Sequence, residues 1–313
     1  MYLGGNRNKI FGIIGACNLM VKIGLIGCGK WGLNHTRVLS QINCDFVGIA
    51  DTNPETKKVA KKYGIDYEKN YEDLLPRIDS ISICTPTDTH YNITKQCLLK
   101  GKHVLVEKPF TLNSQKAKEL IELAKKKKLK LAVGHLFRFN PAVIKLKKNN
   151  LQDIHYITMR YIHSHKKPRK DCGSIFNFGS HLFDILNFIL KIQPKSIFCK
   201  KVNYFSNELE DSAIVLLDYG GFFASLEMGW LHPLKKRDMW IIGKRNIYID
   251  FLEQSINDIK LPWKEPLEEE MKHFCDCVDN DKKPINDGIW GYLTARQCEA
   301  ALKSTITGKE IIL

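Results

Sequence analysis

No stretch of the chain approaches the roughly 18 consecutive apolar residues that would carry a helix across a bilayer, so a transmembrane span is excluded. Internal repeats and low-complexity linkers are absent too, which argues against a repeat array or a disordered spacer. Cysteine is plentiful, with ten residues, but it lacks a pattern. Cys28, Cys44, Cys84 and Cys97 fall inside expected strands and helices, as suits a reducing cytoplasm better than a disulfide framework. The one close pair, Cys275 and Cys277, lacks a second pair or a histidine cluster at ligand spacing, and His163 with His165 lacks a third ligand, so no metal is expected. Acidic residues are the minority, 34 against 48 lysines and arginines, for a net charge of +14. The excess collects in lysine-rich helical stretches such as residues 125–128. These read as solvated faces rather than a nucleic-acid surface, and they also suit steering of an anionic substrate.

At 313 residues, 44% hydrophobic and 26% charged, the chain has the make-up of an ordinary globular protein, long enough for two domains. The first twenty residues do not fit the pattern that follows. Their apolar core is too short for a secretory signal, and with Met20 directly before the first strand they are read as an upstream start or a short extension outside the fold.

The organising stretch is residues 21–51. An apolar run, Gly27-Cys28-Gly29-Lys30-Trp31-Gly32, a helical pattern, a second apolar run and then Asp51 form a strand, glycine turn, helix, strand and acid. That is a dinucleotide-binding unit: the first glycine makes the turn, the second admits a pyrophosphate and the third lets helix and strand pack. Asp51, 19 residues after Gly32, stands where a carboxylate accepts from the adenosine ribose and repels a 2′-phosphate, which favours NAD over NADP.

Strands and helices then alternate to about residue 137, predicting right-handed crossovers and a parallel sheet covered on both faces. Gly27, Asp51, Thr85 and Lys108 fall at carboxyl ends of those strands, the ligand-binding edge of open α/β sheets. From residue 138 the pattern changes. A strand-like run over 153–162, a helix over 174–190, hairpin signals at Gly220-Gly221 and at 244–246, and closing helices over 267–278 and 289–307 predict an α+β domain with a largely antiparallel sheet. The expected division is 1–20, 21–137 and 138–313.

The helix over 174–190 is apolar nearly all round, yet Asn177, His181 and Asp184 fall within about 60° of one another at 100° per residue. A buried helix with a polar stripe serves either to lock two elements together or to carry chemistry. Lys108, read alone, is as well a surface lysine; Pro109 biases it toward an extended backbone that would aim its side chain into the crevice.

Taken together, GCGKWG, CTPTDTH, EKP, RFNPA at 138–142 and the GxxxNxGxHxxD pattern at 173–184 resemble the glucose-fructose oxidoreductase, inositol dehydrogenase and MocA family. The resemblance implies a Rossmann domain, a C-terminal domain whose open sheet forms homo-oligomer contacts, and oxidation or reduction of sugars and cyclitols with NAD or NADP. It implies Lys108 and His181 as the catalytic pair. An imidazole titrates near working pH without a large shift, so His181 is read as the base; Lys108 polarises the substrate oxygen, sharing the proton if the oxidised nicotinamide depresses its pKa, and Asn177 orients the substrate. Many members carry Asp where this chain has Asn177, and an amide cannot accept a proton as a carboxylate can.

For the cofactor, the motifs nominate Gly27, Gly29, Lys30, Trp31, Gly32 and Asp51 from the first unit, with Thr85, Pro86, His90, Glu107 and Lys108 from later strand ends. For the substrate they nominate Arg138, Asn140, Lys167, Arg169, Asn177, His181 and Arg237. The basic loop over 163–170 suits a diphosphate equally as it suits plain solvent exposure. Residues 230–237 and 266–274 resemble nucleotide-sugar 3-dehydrogenases of this family, implying C3 oxidation of a UDP-linked N-acetylhexosamine or its uronate. The alternatives are a dehydrogenase or ketoreductase of a free sugar or cyclitol, and a non-catalytic dinucleotide-dependent regulator.

Overall fold

The computed structural model describes residues 20–149, 151–164, 169–205 and 208–313. Lys167, with the rest of 165–168 in the basic loop, lies outside the described residues. Strands β1 (Lys22–Ile26), β2 (Asp45–Ala50), β3 (Asp66–Glu68), β4 (Ser80–Ile83), β5 (His103–Val106) and β6 (Leu131–Val133) form one parallel sheet in the order β3-β2-β1-β4-β5-β6. The crossovers are α1 (Lys30–Leu39), α2 (Thr56–Tyr63), the single turn α3 (Tyr71–Leu74), α4 (His90–Leu99) and α5 (Ser114–Lys127). Their ends follow local chemistry. Gly64 closes α2 in the left-handed conformation, and the Asn113 side chain caps α5 by accepting from the Lys116 amide.

The second half contributes α6 (Pro141–Lys148), β7 (Ile154–Ser164), α7 (Ser180–Leu190), β8 (Ser196–Val202), β9 (Ser212–Asp218), β10 (Phe223–His232), β11 (Lys236–Gly243) and β12 (Ile247–Asp250). The short strands β13 (Ser255–Ile256) and β14 (Ile259–Lys260) follow, then α8 (Pro266–Asp279), α9 (Gly288–Thr307) and β15 (Ile311–Ile312). Its nine strands are ordered β14-β13-β12-β11-β7-β10-β9-β8-β15 and pair antiparallel, except that β10 runs parallel to β7. The fold is therefore a Rossmann domain joined to a domain built on an open, mostly antiparallel sheet. One face of that sheet packs Ile157, Met159, Leu226 and Met239 against α7 and α9 in a single large core.

Two sequence expectations need correction. The helix expected over 174–190 opens with a π-helical turn, Ile175–Gly179, before α7 begins. Close packing holds this turn: a Cβ on Gly179 would lie 2.9 Å from the Met228 sulfur, and one on Gly173 would run into the Glu210 carboxylate at 2.2 Å. The division at residue 137 is also too simple. Leu267, Met271, Phe274 and Cys275 of α8 share a core with Val21, Ile23, Leu25 and Val38 of the Rossmann half. Gly291 of α9 approaches so closely that a Cβ there would meet Phe110 and Val133 at 2.7 and 2.8 Å. The chain returns to complete the domain it began with, which fixes the two halves around one crevice.

Candidate active site

The glycine turn is built for a pyrophosphate. Gly27 has φ +87°, and a Cβ on Gly32 would lie 2.1 Å from the Gly27 carbonyl oxygen, so neither position tolerates a side chain. Gly29 faces open space, and α1 begins there with no side-chain cap and no acidic residue in its first turn. Its free N–H groups and dipole are left for an anion. The turn opens into a cleft of about 930 Å3 lined by Gly27, Gly29, Asp51, Thr85, Pro86 and Arg169. The Asp51 carboxylate accepts from the Cys28 amide at 2.5 Å and the Asn53 amide at 2.8 Å, which holds it beside the turn. These residues fit a dinucleotide.

Lys30 is exposed, and Trp31 keeps 40% of its surface while its indole N–H donates to Glu107 Oε1 at 2.5 Å. Glu107 is buried, with a Cβ on Gly134 placed 2.9 Å from its carboxyl carbon. Burial pushes its pKa up, but the His35 and Trp31 hydrogen bonds outweigh that and hold it below the usual carboxylate range. Glu107 therefore anchors the strand end through His35, Trp31 and the Lys108 amide. His90 is likewise a brace: its ring nitrogens lie 2.8 Å from the Pro109 oxygen and 2.9 Å from the Thr85 oxygen. The Glu107 carboxylate and the His90 ring are both engaged by protein groups, and both shape the loops at the strand ends.

Lys108 is joined to Pro109 by a cis peptide bond and is linked to the cleft through Asn177 and the cleft-lining Arg169. Its ammonium donates to the Asn177 main-chain oxygen at 2.9 Å and to Asn177 Oδ1 at 3.2 Å. Arg169 Nη1 is 3.4 Å from the same Oδ1, its Nη2 is 3.3 Å from Thr87 Oγ1, and Arg169 pairs with Asp171. Asp171 also accepts from the Thr87 amide at 3.1 Å, so the loop before the π-turn is pinned to the Rossmann half. Burial first, then the Arg169 charge, lowers the Lys108 pKa to about 8, with Glu107 opposing.

His181 stacks on Tyr161 at 5.3 Å and meets Phe137 edge-on at 5.0 Å. Arg237 lies over the other end of this aromatic group, 4.5 Å from the Tyr161 ring centre and 3.2 Å from His163 Nε2. Burial, then the charges of Lys108, His135 and Arg237, push the His181 pKa well below its ordinary value. The expectation of an unshifted histidine base is therefore corrected. Of the pair, Lys108 has the pKa nearer neutrality, at about 8.

Arg138 and Asn140 do not reach the site. Arg138 is 1% exposed, binds Asp184 through Nε at 2.9 Å and Nη2 at 2.6 Å, donates to the Ile285 oxygen at 2.7 Å, and lies between Phe188 and Trp290. Asn140 caps α6 through the Ala142 amide and donates to the Phe251 oxygen. Both are corrected to structural roles: every polar group of the Arg138 side chain that forms these bonds is consumed by the fold. Asp171, Thr87 and Tyr161 are site neighbours that sequence reasoning missed. Asp171 carried the one available signal, an acid closing a basic loop just before Gly173.

A nucleotide cleft linked through Arg169 and Asn177 to a lysine of lowered pKa, with a buried histidine four residues after that asparagine, is the arrangement of a dinucleotide-dependent oxidoreductase. The chain belongs to the Gfo/Idh/MocA oxidoreductase family: the family's NAD-binding Rossmann-fold model matches residues 21–135 and its C-terminal domain model residues 146–249. Among relatives, UDP-N-acetylglucosamine 3-dehydrogenase of Acidithiobacillus ferrooxidans is 26% identical over 239 residues, 76% of each chain. Inositol 2-dehydrogenase of Rhizobium meliloti is 28% identical over 190 residues, 57% of this chain and 58% of that one. Among solved structures, the WlbA dehydrogenase from Bordetella pertussis, in complex with NADH and UDP-GlcNAcA, is 20% identical with a TM-score of 0.85, covering 94% of this chain and 98% of that one. The protein is an NAD-binding oxidoreductase of this family, whose relatives named above are dehydrogenases of a nucleotide sugar and a cyclitol.

Proposed function

We propose that the protein oxidises C3 of a UDP-linked N-acetylhexosamine or its uronate. The observation that carries this reading is the contact of Lys108 with Asn177, flanked by the guanidinium groups of Arg169 and Arg237. Bound NAD supplies the hydride acceptor. Lys108, as the neutral amine, keeps its two donors on Asn177 and offers its lone pair to the substrate hydroxyl proton. Asn177, a shared acceptor for Lys108 and Arg169, orients the amine and the substrate. The two arginines and the basic loop suit a phosphorylated substrate better than an uncharged one.

Turnover of NAD with UDP-N-acetylglucosamine, its uronate, glucose and myo-inositol tests this reading, comparing wild type with Lys108→Ala and His181→Ala. Preference for a UDP-sugar and loss of activity in both variants are expected. A preference for myo-inositol would replace the nucleotide sugar with a cyclitol, a reading favoured by the inositol dehydrogenase relative.

The outer face of the nine-stranded sheet exposes Tyr156, Ile214, Leu216, Phe223 and Trp240, with Tyr156 stacked on Phe223. Such a contiguous apolar face suits burial against a second copy. The protein then works as a homo-oligomer. A cytoplasmic location fits the scattered cysteines; no helix among the described residues is long and apolar enough to cross a membrane.

A further inference from the structure

Behind the Lys108 and His181 centre lies a group of buried polar atoms without partners. His135 follows β6, is 1% exposed, and makes no hydrogen bond through either ring nitrogen. Its Nδ1 stands 3.8 Å from Asp184 Oδ2, too far for a direct bond, and that carboxylate is taken by Arg138. Glu270 of α8 is 0% exposed; its Oε1 accepts from Asn286 Nδ2 at 3.0 Å, and its Oε2 is unpartnered. Asn286 spends its other N–H on the Val133 oxygen, and its Oδ1 is unpartnered. His181 Nδ1 is the fifth such atom.

Leaving one buried polar atom unmet costs its full desolvation penalty, and five such atoms are more than a fold of ordinary stability leaves dry. Internal water is the usual remedy, each molecule making about three hydrogen bonds. Asn286 ties Glu270 to the Val133 oxygen, which the His135 amide also meets, and His135 Nδ1 stands 3.8 Å from Asp184, three residues along the helix from His181.

The polarity of such a chain is set at its far end. Glu270 has no cationic partner, and an isolated carboxylate at that depth is far costlier than the acid. Burial, with Glu107 and Asp184 nearby, raises its pKa well above the ordinary value. Because Oε1 is an acceptor for Asn286, the acid proton belongs on Oε2. Burial drives His135 the other way, down to about 4, so its imidazole is neutral, with one donor and one acceptor.

We propose that ordered water links the Glu270 acid, the His135 ring and His181 Nδ1 in one directed chain, making His135 and Glu270 positioning residues for His181. Glu270 donates into the chain, His135 accepts on one nitrogen and donates from the other, and the last water donates to His181 Nδ1. His181 is thereby held as the Nε2–H tautomer. It then donates to the substrate oxygen as negative charge develops there, while Lys108 takes the proton. No proton is lost or gained along the chain, which only fixes orientation.

This rests on the dehydrogenase reading for its catalytic consequence, but the tautomer itself is measured without substrate. Histidine-labelled 13C and 15N NMR of the intact protein with NAD should find His181 as the Nε2–H form, and a high-resolution crystal structure should show water at His135. His135→Phe and Glu270→Leu should both shift the His181 tautomer and lower kcat at least about tenfold with KM within twofold. Glu270→Gln, whose amide donates in place of the acid, should restore both. An Nδ1–H His181 in the wild type, a dry chamber, or an unchanged tautomer in folded Glu270→Leu would each overturn the proposal. A failure of the nucleotide-sugar reading alone would leave the tautomer result standing and change only which sugar is turned over.

Discussion

The Lys108 ammonium spans the two halves of the molecule, donating to both the main-chain and the side-chain oxygen of Asn177, 69 residues further along the chain. It does so in a half-buried setting beside Arg169, with no carboxylate paired directly to it among the described residues. The amine is the easier form to hold there, and the pKa falls to about 8.

That value predicts the pH profile. If Lys108 is the base, kcat/KM rises tenfold per pH unit below about 8 and levels off above it. Lys108→Arg, which keeps the charge but cannot give up its proton, should lose about 10²-fold to 10⁴-fold in kcat at every pH. A flat wild-type profile from pH 6 to 9 would remove Lys108 from the base role.

The same burial has a stability consequence. The unfolded chain holds this proton up to about 10.5 and the folded chain only to about 8, so the unfolded state binds more protons between those values. Stability then rises with pH across that window, and below it Lys108 weakens the fold by at most about 3 kcal/mol. Lys108→Met should be inactive yet raise Tm by several degrees at pH 7, and that gain should shrink as pH climbs from 8 toward 10.5. Thermal melts of both proteins at pH 7 and pH 10 are the check.

Asp51 is the residue expected to set the choice between NAD and NADP. Its carboxylate is held beside the glycine turn by the Cys28 and Asn53 amides, where it would bond a ribose hydroxyl and repel a phosphate. Asp51→Ser should raise KM for NAD about tenfold and bring NADP within reach. Initial rates with each cofactor measure the ratio, and an unchanged ratio would take discrimination away from Asp51.

Much of this architecture was legible because it is local. The glycine turn, the alternation of strands and helices, the Asn113 and Gly64 helix ends and the Gly220-Gly221 hairpin each follow from neighbouring residues. Lys108 and His181 drew notice through the motifs around them. What could not be read was set by distant packing. The short strands β3, β13 and β14 and the edge strand β15 have too few residues for a periodic signal. The π-turn at Ile175 depends on Met228 and Glu210 pressing on two glycines. The return of α8 to the Rossmann core shows only as an amphipathic helix whose partner, Val21 to Val38, lies more than 200 residues away. The shift of His181 arises from burial and from charges on three other segments, so a ring read as an ordinary histidine in sequence is a different acid in the fold.

Arg138 separates a structural from a substrate role. Its guanidinium is buried between Phe188 and Trp290, and breaking its pair with Asp184 leaves a buried carboxylate uncompensated. Arg138→Ala should cost about 3–5 kcal/mol of stability, read as a large fall in Tm or in soluble yield. The fraction that folds should bind substrate with nearly wild-type KM, because Arg138 contacts neither the cleft nor Asn177. Replacing both partners, Arg138→Met with Asp184→Leu, should recover most of the lost stability, since neither charge is then left buried alone. A raised KM in a stable Arg138→Ala protein would return this residue to the substrate site.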